Sequence, residues 1–382
     1  MSESKLNLPR ITDIRQETDE MLYFTAENCN VSVINALRRT ILSDIPVVCF
    51  KTEPHNEVQS SLESTIIYKN TTSLTNEIIK QRLGCVPIHI KIPDNIENLV
   101  VELDMTNNTD SLMYITTGDF KIKESATNQY LTDAQVHKIF PPNKITNDYI
   151  LFNRLKPKIS KTSEGESLKF KAKLHKSTSK INSQCNVCST IGYENTIDNV
   201  KSNEAWLTYR DTLEKSGIGE KEIDNIEKNW MVHNAKRYYI ADSFQFKLET
   251  IGIYTNEELI KIACNILINR FENLKKMVQD DKIEIISNTI NTKYSHDIVL
   301  PNISYTMGKV IEYLFYERYF KMNKTFSFVG FIKKHPHDDD SIVRIVFRNG
   351  EEDSNIENIK MIFLACINYS QEIFRHIDDS FI

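Results

Sequence analysis

The segment Val33–Pro46, VINALRRTILSDIP, decides the fold that the sequence predicts. Its apolar residues recur at helical spacing while Arg38 and Arg39 point elsewhere, which indicates an amphipathic helix opening at Asn30. Pro46 follows the helix, because a proline cannot continue the helical hydrogen-bond ladder.

The elements around this helix complete a first structural unit. Ile11–Ala26 predicts a strand before the helix, and Val47–Lys51 predicts a short apolar strand after it. Far along the chain, Asp242–Gly252 returns to strand alternation. A long amphipathic helix follows over residues 256–279, and its apolar stripe needs a partner in water.

Residues 281–382 repeat the same plan. Ile283–Thr289 and Tyr294–Val299 predict strands, and Thr306–Tyr319 predicts a helix. Two further strands lead into a second long amphipathic helix over residues 355–378. Two similar units with complementary apolar stripes predict an α+β fold that forms an intramolecular pseudo-dimer.

The predicted domains follow from this repeat. Residues 1–52 and 241–280 form the first dimerisation half, residues 281–382 form the second, and residues 53–240 form an inserted α+β domain. Its predicted elements are a helix over Thr75–Leu83, strands over Val86–Ile92, Leu99–Leu103 and Leu168–Leu174, and helices over 202–215 and 220–231.

Composition excludes several classes of protein. The 382 residues are 40% hydrophobic and 26% charged, which is ordinary for a globular protein of roughly two or three domains. The net charge of -5 argues against a polybasic nucleic-acid wrapper. Seven cysteines, an odd number, indicate reduced thiols. Apolar runs fall short of the roughly 18 residues of a membrane span, and MSESKLNLPR lacks the apolar core of a secretory signal.

Four segments carry a resemblance to a known family. Asn35–Arg39, NALRR, followed by a short spacer and a proline, resembles the first helix of the alpha-like assembly subunits of multisubunit DNA-directed RNA polymerases. Asn76–Ile88 is similar to that family's segment ending in R-L-G-x-x-P-I, and Ala172–Ser183 is similar to its basic loop. Asp242–Gly252 resembles the return strand of the larger alpha-like subunit. Together these segments cover about residues 10–280.

The C-terminal part resembles the smaller alpha-like partner. Thr306–Gly308 matches its T-L-G helix start, and Phe328–Phe331 followed by His335–His337 is similar to its F-A-G-Y…P-H-P stretch. The chain therefore looks like both subunits fused in one polypeptide. Such fusions occur in the transcription machinery of some large DNA viruses, and abundant Asn, Ile and Lys suit an AT-rich viral genome. The resemblance then implies a place in the virion and host cytoplasm, or otherwise an intracellular place with the polymerase.

The resemblance implies a non-catalytic assembly platform that nucleates binding of the two largest polymerase subunits. Further implied partners are small zinc-ribbon-type subunits, with DNA reached only through the complex, no membrane, no cofactor and no metal. The implied large-subunit interface comprises Asn35, Arg38, Arg39, Arg82, Gly84, Lys173, His175 and Lys176. The implied intramolecular dimerisation residues are Leu37, Ile41, Leu259, Ala263, Leu267, Phe271, Met307, Gly308, Ile311, Phe363, Ile367 and Phe374.

The sequence departs from the family at two places. Many members hold zinc or an iron–sulfur centre with a cysteine cluster in the inserted domain, but Leu103–Phe120 contains no cysteine, so that centre is expected to be absent. Glu312 follows Ile311 where the family has an arginine, so the sequence offers no arginine for that polymerase contact.

Three other features have competing interpretations. Cys185 and Cys188 form a CxxC, but two thiolates supply only half of a zinc site. His335–Asp340 could be the metal cluster of an unrecognised hydrolase, although a solvated loop explains such a charge run better. Arg154–Lys180 carries nine basic residues against two glutamates, which leaves a stand-alone nucleic-acid-binding protein as the alternative function. The sequence has neither a Walker A motif nor a G-x-S-x-G motif.

Overall fold

The computed structural model describes residues 8–52, 64–92, 96–160, 163–287, 293–348 and 354–381. Contacts between residues divide the chain into two compact units. The first unit comprises residues 1–41, 190–249 and 256–382, and the second comprises residues 42–189 and 250–255.

The described residues form the following elements. The strands are β1 (Arg10–Thr18), β2 (Met21–Glu27), β3 (Pro46–Phe50), β4 (Ile66–Asn70), β5 (Leu99–Thr106), β6 (Met113–Thr116), β7 (Lys121–Glu124), β8 (Gln129–Tyr130), β9 (Leu151–Leu155), β10 (Ser167–Thr178), β11 (Cys188–Ile197), β12 (Tyr239–Thr250), β13 (Glu284–Ser287), β14 (Ser295–Leu300), β15 (Phe326–Ile332) and β16 (Ser341–Phe347). The α-helices are α1 (Val31–Ser43), α2 (Asn76–Gly84), α3 (Asp133–Ile139), α4 (Asn199–Lys215), α5 (Glu220–Val232), α6 (Asn256–Gln279), α7 (Tyr305–Phe315) and α8 (Ile356–Asp379).

The first half of the first unit is a four-stranded sheet in the order β1-β2-β12-β11. Ile11–Ala26, predicted as one strand, is a hairpin, and this correction has a local cause. The Thr18 hydroxyl accepts hydrogen bonds from the backbone amides of Glu20 (3.3 Å) and Met21 (3.1 Å), which closes a turn. Phe24 on β2 and Phe246 on β12 then stack at 4.6 Å between ring centroids in the core.

The second half contains a four-stranded antiparallel sheet in the order β13-β14-β16-β15. This order repeats that of the first sheet, with each strand in the equivalent position. In both halves a hairpin precedes a short helix, α1 or α7, and the third strand in the sheet order leads into a long helix, α6 or α8. The α+β class and the repeated plan are therefore confirmed.

Two predicted elements of the second half have different bounds in the structure. Thr306–Tyr319 was predicted as one helix, but α7 ends at Phe315 and a π-helix continues over Tyr316–Met322. Of the strand predicted over Ile283–Thr289, β13 covers Glu284–Ser287, and Thr289 lies outside the described residues.

The helices α4 and α5 lie between β11 and β12 and have a small core of their own. Trp206 and Trp230 are buried there with ring centroids 5.7 Å apart, beside Leu213 and Ile223. Residues 190–240, predicted within the inserted domain, belong instead to the first unit, because β11 pairs with β12 in its sheet. The connection equivalent to α4 and α5 in the second half is the short loop between β15 and β16.

The second unit is built on the sheet β3-β10-β5-β7-β8, with β4 also paired to β10, and on the ribbon β6-β9. Its core contains the rings of Phe50, Phe120, Phe140, Phe152 and Phe170.

The strand predicted over Val86–Ile92 does not form. Pro87 has no amide hydrogen to donate to a ladder, and the amide of Ile90 instead donates to the Ile88 carbonyl at 2.9 Å. Within the described residues, no helix combines the length and apolarity that crossing a bilayer requires.

Gly308, at the start of α7, tests the packing of the second half. A Cβ at this position would lie 2.1 Å from the ring of Phe331 on β15. We expect Gly308→Ala to lower the free energy of unfolding by about 1–3 kcal/mol, because overpacking outweighs the gain in helix propensity. Urea unfolding followed by circular dichroism measures this.

The matched control for Gly308→Ala is Gly192→Ala on β11. No atom lies within 4 Å of a Cβ built at Gly192. This variant should unfold at the wild-type urea concentration or slightly above it. Equal free energies of unfolding for the two variants would show that Phe331 does not pack tightly against α7.

Candidate subunit interface

The two long helices of the first unit pack against each other. The rings of Phe271 on α6 and Phe374 on α8 stack with centroids 6.1 Å apart. The Gln371 side-chain amide donates to the Ile268 carbonyl at 3.3 Å and to the Glu272 carboxylate at 2.9 Å. The apolar stripes predicted on these helices therefore cover each other and remove apolar surface from water.

The residues predicted for intramolecular dimerisation are all buried. They are Leu37 and Ile41 on α1, Leu259, Ala263, Leu267 and Phe271 on α6, Met307, Gly308 and Ile311 on α7, and Phe363, Ile367 and Phe374 on α8. The Phe271–Phe374 stack joins two of them across the two halves.

Other contacts between the halves involve residues that sequence analysis missed. Phe24 on β2 meets Phe381 edge-to-face, with centroids 5.0 Å apart. Burial raises the pKa of Tyr313 on α7, and the neighbouring Glu317, Cys29 and Asp242 add to this shift. The sequence does contain one signal of the contact between α6 and α8. Gln371 is a polar residue within the apolar stripe of α8, and it bonds to α6.

The outer side of α1 carries the predicted arginines. The Nε and Nη2 atoms of Arg38 donate to the Asn35 side-chain oxygen at 3.2 and 3.0 Å, one helical turn away. Asn35 thereby orients the guanidinium along the helix. Arg39 is exposed and projects about 100° from Arg38. The two guanidinium groups therefore point to two different sides of α1.

Arg82, at the end of α2, makes contacts inside its own unit. Its Nε donates to the Phe152 carbonyl at 2.8 Å and its Nη2 to the Leu151 carbonyl at 3.0 Å. A Cβ on the buried Gly84 would lie 2.2 Å from the side-chain oxygen of Gln184. The structure therefore gives both residues an intramolecular role beside the predicted interface role.

The basic strand β10 alternates between buried apolar and outer basic positions. On its outer face, Lys169 pairs with Asp104 at 2.5 Å and Lys171 pairs with Glu102 at 2.8 Å, both across to β5. The Tyr130 hydroxyl also donates to Glu102 at 2.8 Å. Carboxylates of the neighbouring strand therefore neutralise this end of β10.

The predicted interface residues Lys173, His175 and Lys176 lie at the other end of β10. The register places His175 opposite Cys49 and Lys176 opposite Val48 on β3. Burial lowers the pKa of His175, and its Nδ1 atom is buried without a hydrogen-bond partner. Neutral imidazole is therefore the favoured form in the folded protein.

The cysteines do not form a metal centre in the described part of the chain. Cys49 and Cys185 are joined in a disulfide, with Cα atoms 6.1 Å apart, which corrects the expectation that all the thiols are reduced. The reason is that the fold brings β3 beside the segment before β11. Burial raises the pKa of Cys188 to about 11.

The loop His335–Asp340 holds no metal-binding geometry either. Among the residues that the structure describes, no group of three or more His, Cys, Asp or Glu side chains could hold an ion. The His337 amide donates to the Nδ1 of His335 at 3.2 Å within this exposed loop. The geometry therefore does not favour the hydrolase interpretation.

Two sheet-and-helix halves joined through long helices define the class of alpha-like dimerisation proteins. A family model described as the RNA polymerase Rpb3/Rpb11 dimerisation domain matches residues 23–271, and the chain belongs to this family. The predicted identification as an alpha-like RNA polymerase subunit is thereby confirmed.

The chain is also similar to individual proteins over most of their length. The chain is 25% identical to the DNA-directed RNA polymerase subunit Rpo3 of Pyrococcus horikoshii over 70% of this chain and 96% of that protein. It is 23% identical to the Rpo3 subunit of Picrophilus torridus over 70% and 99%. It is also 22% identical to a conjugation stage-specific protein of Tetrahymena thermophila over 72% and 96%.

The junction between the long helices gives a direct stability prediction. Phe271→Ala should lower the free energy of unfolding by about 3–5 kcal/mol, because it removes a fully buried ring and leaves a cavity. Urea denaturation measures this. Met361→Ala on α8, at a side chain that is 64% exposed, is the control and should stay within about 0.5 kcal/mol of wild type. Equal effects would contradict the observed packing.

Three partly or fully buried histidines predict a loss of stability on acidification. Burial lowers the pKa of His89, His175 and His296 below their ordinary value. The unfolded chain therefore binds more protons than the folded protein once the pH falls to about 6.5. The free energy of unfolding should decrease between about pH 7 and pH 5. Urea titrations across this range measure the slope, and His175→Gln should make it shallower. Stability that rises on acidification would contradict the prediction.

Proposed function

We propose that this chain is a non-catalytic assembly platform that carries both alpha-like modules of an RNA polymerase in one polypeptide. In this proposal residues 1–41, 190–249 and 256–280 supply the larger module and residues 281–382 the smaller one, with residues 42–189 and 250–255 as the inserted domain. The platform nucleates binding of the two largest, catalytic subunits during transcription.

The repeated sheet order is the observation that carries the proposal. The orders β1-β2-β12-β11 and β13-β14-β16-β15 place equivalent strands at equivalent positions, and each half contributes one long helix to the α6–α8 junction. The family match ends at residue 271, so the second half repeats the topology beyond the matched segment. A larger and a smaller alpha-like module in one chain account for both facts.

The proposed large-subunit interface has two parts. On α1, Asn35 holds the guanidinium of Arg38 beside Arg39, and a guanidinium can fork onto a carboxylate or onto backbone carbonyls of a partner. On the second unit, Arg82, Gly84, Lys173, His175 and Lys176 supply the remaining contacts.

The ion pairs of the basic segment disfavour the alternative function of stand-alone nucleic-acid binding. Lys156 and Lys158 pair with Glu166 and Asp110 at 3.8 and 3.5 Å, in addition to the two pairs on β10. Lys161 lies outside the described residues. Cations already paired with carboxylates release fewer counterions from DNA phosphates. We therefore propose that DNA is reached through the complex.

The proposed setting is the transcription machinery of a large DNA virus, in the virion and the host cytoplasm. The joining of both modules in one chain and the abundance of Asn, Ile and Lys support this setting. Small zinc-ribbon-type polymerase subunits complete the proposed set of partners.

Replacing Arg38 and Arg39 by alanine tests the platform function. The double variant should fold like wild type, because both side chains lie on the outer side of α1, yet recover at least about tenfold less of the two large subunits in a pull-down. Quantitative mass spectrometry of the purified complex measures this recovery.

The matched control replaces Lys121 and Lys138, two exposed lysines of the second unit, by alanine. This pair removes the same charge and should leave recovery unchanged. Full recovery of the large subunits with the folded Arg38 and Arg39 variant would refute the proposed interface. A wild-type chain that purifies alone and retains salt-sensitive DNA affinity would refute the platform function.

A further inference from the structure

The two equivalent sheets differ in the face that points away from their cores. On β12, alternating with the buried Phe244, Phe246 and Leu248, the outer side chains include the exposed Gln245 and Lys247. The Lys247 ammonium lies 6.0 Å from the ring centroid of Tyr23 on β2. This outer face is therefore polar and suited to water.

In the second sheet, one face of β15 is occupied by α7. The ring of Phe326 meets Phe315 with centroids 6.0 Å apart, and Phe331 meets Tyr305 at 5.2 Å. A register shift between Phe326 and Phe328 allows both Phe326 and Phe331 to face α7, and alternation from Phe331 then directs Phe328, Gly330 and Ile332 to the opposite, outer face.

Part of this outer face is apolar. Phe328 and Ile332 are 49% and 52% exposed, and Ile286 on β13 is 45% exposed. The register places Ile332 beside Ile342 on β16, and Ile342 beside Val299 on β14. An apolar row therefore runs across three strands, from Val299 through Ile342 to Ile332 on β15. The outer face of β12 in the first half is polar instead.

The centre of the outer face is neutral. Arg344 on β16 forms a two-pronged ion pair with Asp297 on β14, with N–O distances of 2.6 and 2.7 Å. Gly330 lies beside Arg344 in the register and offers no side chain. A Cβ there would lie 3.0 Å from the ring of Phe328, so that ring leans over the glycine.

The strand β15 is also an edge. It is the last strand of its sheet, so within the described ranges no strand pairs with its far side. An open edge can add a strand from another chain, with main-chain hydrogen bonds supplying affinity and alternate side chains supplying specificity. Lys324 precedes β15, and Lys333 and Lys334 follow it.

We propose that β15 is a strand-addition site for an extended segment of another protein subunit. That segment carries apolar side chains at alternate positions, beside Phe328 and Ile332, and acidic residues near Lys324, Lys333 and Lys334. The inference rests on the proposed function, since the occupant is a subunit of the polymerase. It assigns a contact that is separate from the α1 arginines.

Photo-cross-linking in the assembled polymerase tests the occupant. A benzophenone amino acid replaces Phe328 in one variant of the full chain and Ile332 in another, and mass spectrometry identifies the joined peptides. Both positions should cross-link to one segment of another subunit, at residues two to four apart. Replacement of the exposed Leu207 on α4 is the control for non-specific capture.

Hydrogen exchange tests the strand addition itself. The amides of β15 should exchange at least about tenfold more slowly in the complex than in the free chain, because new main-chain hydrogen bonds protect them. Phe328→Ser with Ile332→Ser should abolish this protection. Val200→Ser with Leu207→Ser, which removes two exposed apolar side chains from α4, should preserve it.

The outcomes separate this inference from the proposed function. Unchanged exchange at β15, or cross-links only to this chain or to a second copy of it, would overturn the strand-addition site while the large subunits still co-purify. Failure of the large subunits to co-purify with wild type would instead overturn the proposed function, and the strand-addition site with it.

Discussion

The structure of the first unit depends on one apolar junction, the pairing of α6 with α8. Each helix follows the last strand of its own half along the chain and presents an apolar side. The Phe271–Phe374 stack fills this junction, and Gln371 satisfies the Ile268 carbonyl and the Glu272 carboxylate at its margin. Separating the halves would expose the apolar surface at this junction and break the Gln371 hydrogen bonds.

Given this junction, the remainder of each half can vary. In the first half, α4 and α5 with their tryptophan core lie between β11 and β12. In the second half, the equivalent strands β15 and β16 are joined by the loop that contains His335–Asp340. The connection after the short helix likewise holds residues 42–189 of the second unit in the first half but a π-helix in the second. Insertions therefore lie in the connections between the core strands and helices, and the strand order of the sheet is the same in both halves.

The sequence predicts this architecture well where periodicity is long. The stripes of α6 and α8, the helix α1 and the strands of the second half follow directly from spacing. The hairpin within Ile11–Ala26 is missed because its turn depends on the Thr18 hydroxyl rather than on glycine or proline. Val86–Ile92 has strand composition, yet Pro87 prevents the ladder.

The candidate interface is less predictable than the fold. Motif resemblance selects Arg38, Arg82 and His175 together, but only coordinates show that Arg82 donates to the carbonyls of Leu151 and Phe152. Pairing of Cys49 with Cys185 is equally invisible, because 136 residues separate them. The local hydrophobic pattern predicts which side chains lie outside the core. The residues that these side chains contact are distant in sequence, so the pattern does not predict them.

A single-chain arrangement changes what the junction must achieve. The interface between two separate alpha-like subunits must be strong enough to prevent dissociation at low concentration. It must also disfavour the pairing of each subunit with a second copy of itself. Two halves on one chain meet at a high effective concentration, so the α6–α8 junction needs little added specificity. The outer faces of the two sheets are then free to diverge, one polar around Lys247 and one apolar around Ile332 and Ile342. In the platform that we propose, this divergence would allow topologically equivalent surfaces to bind two different large subunits.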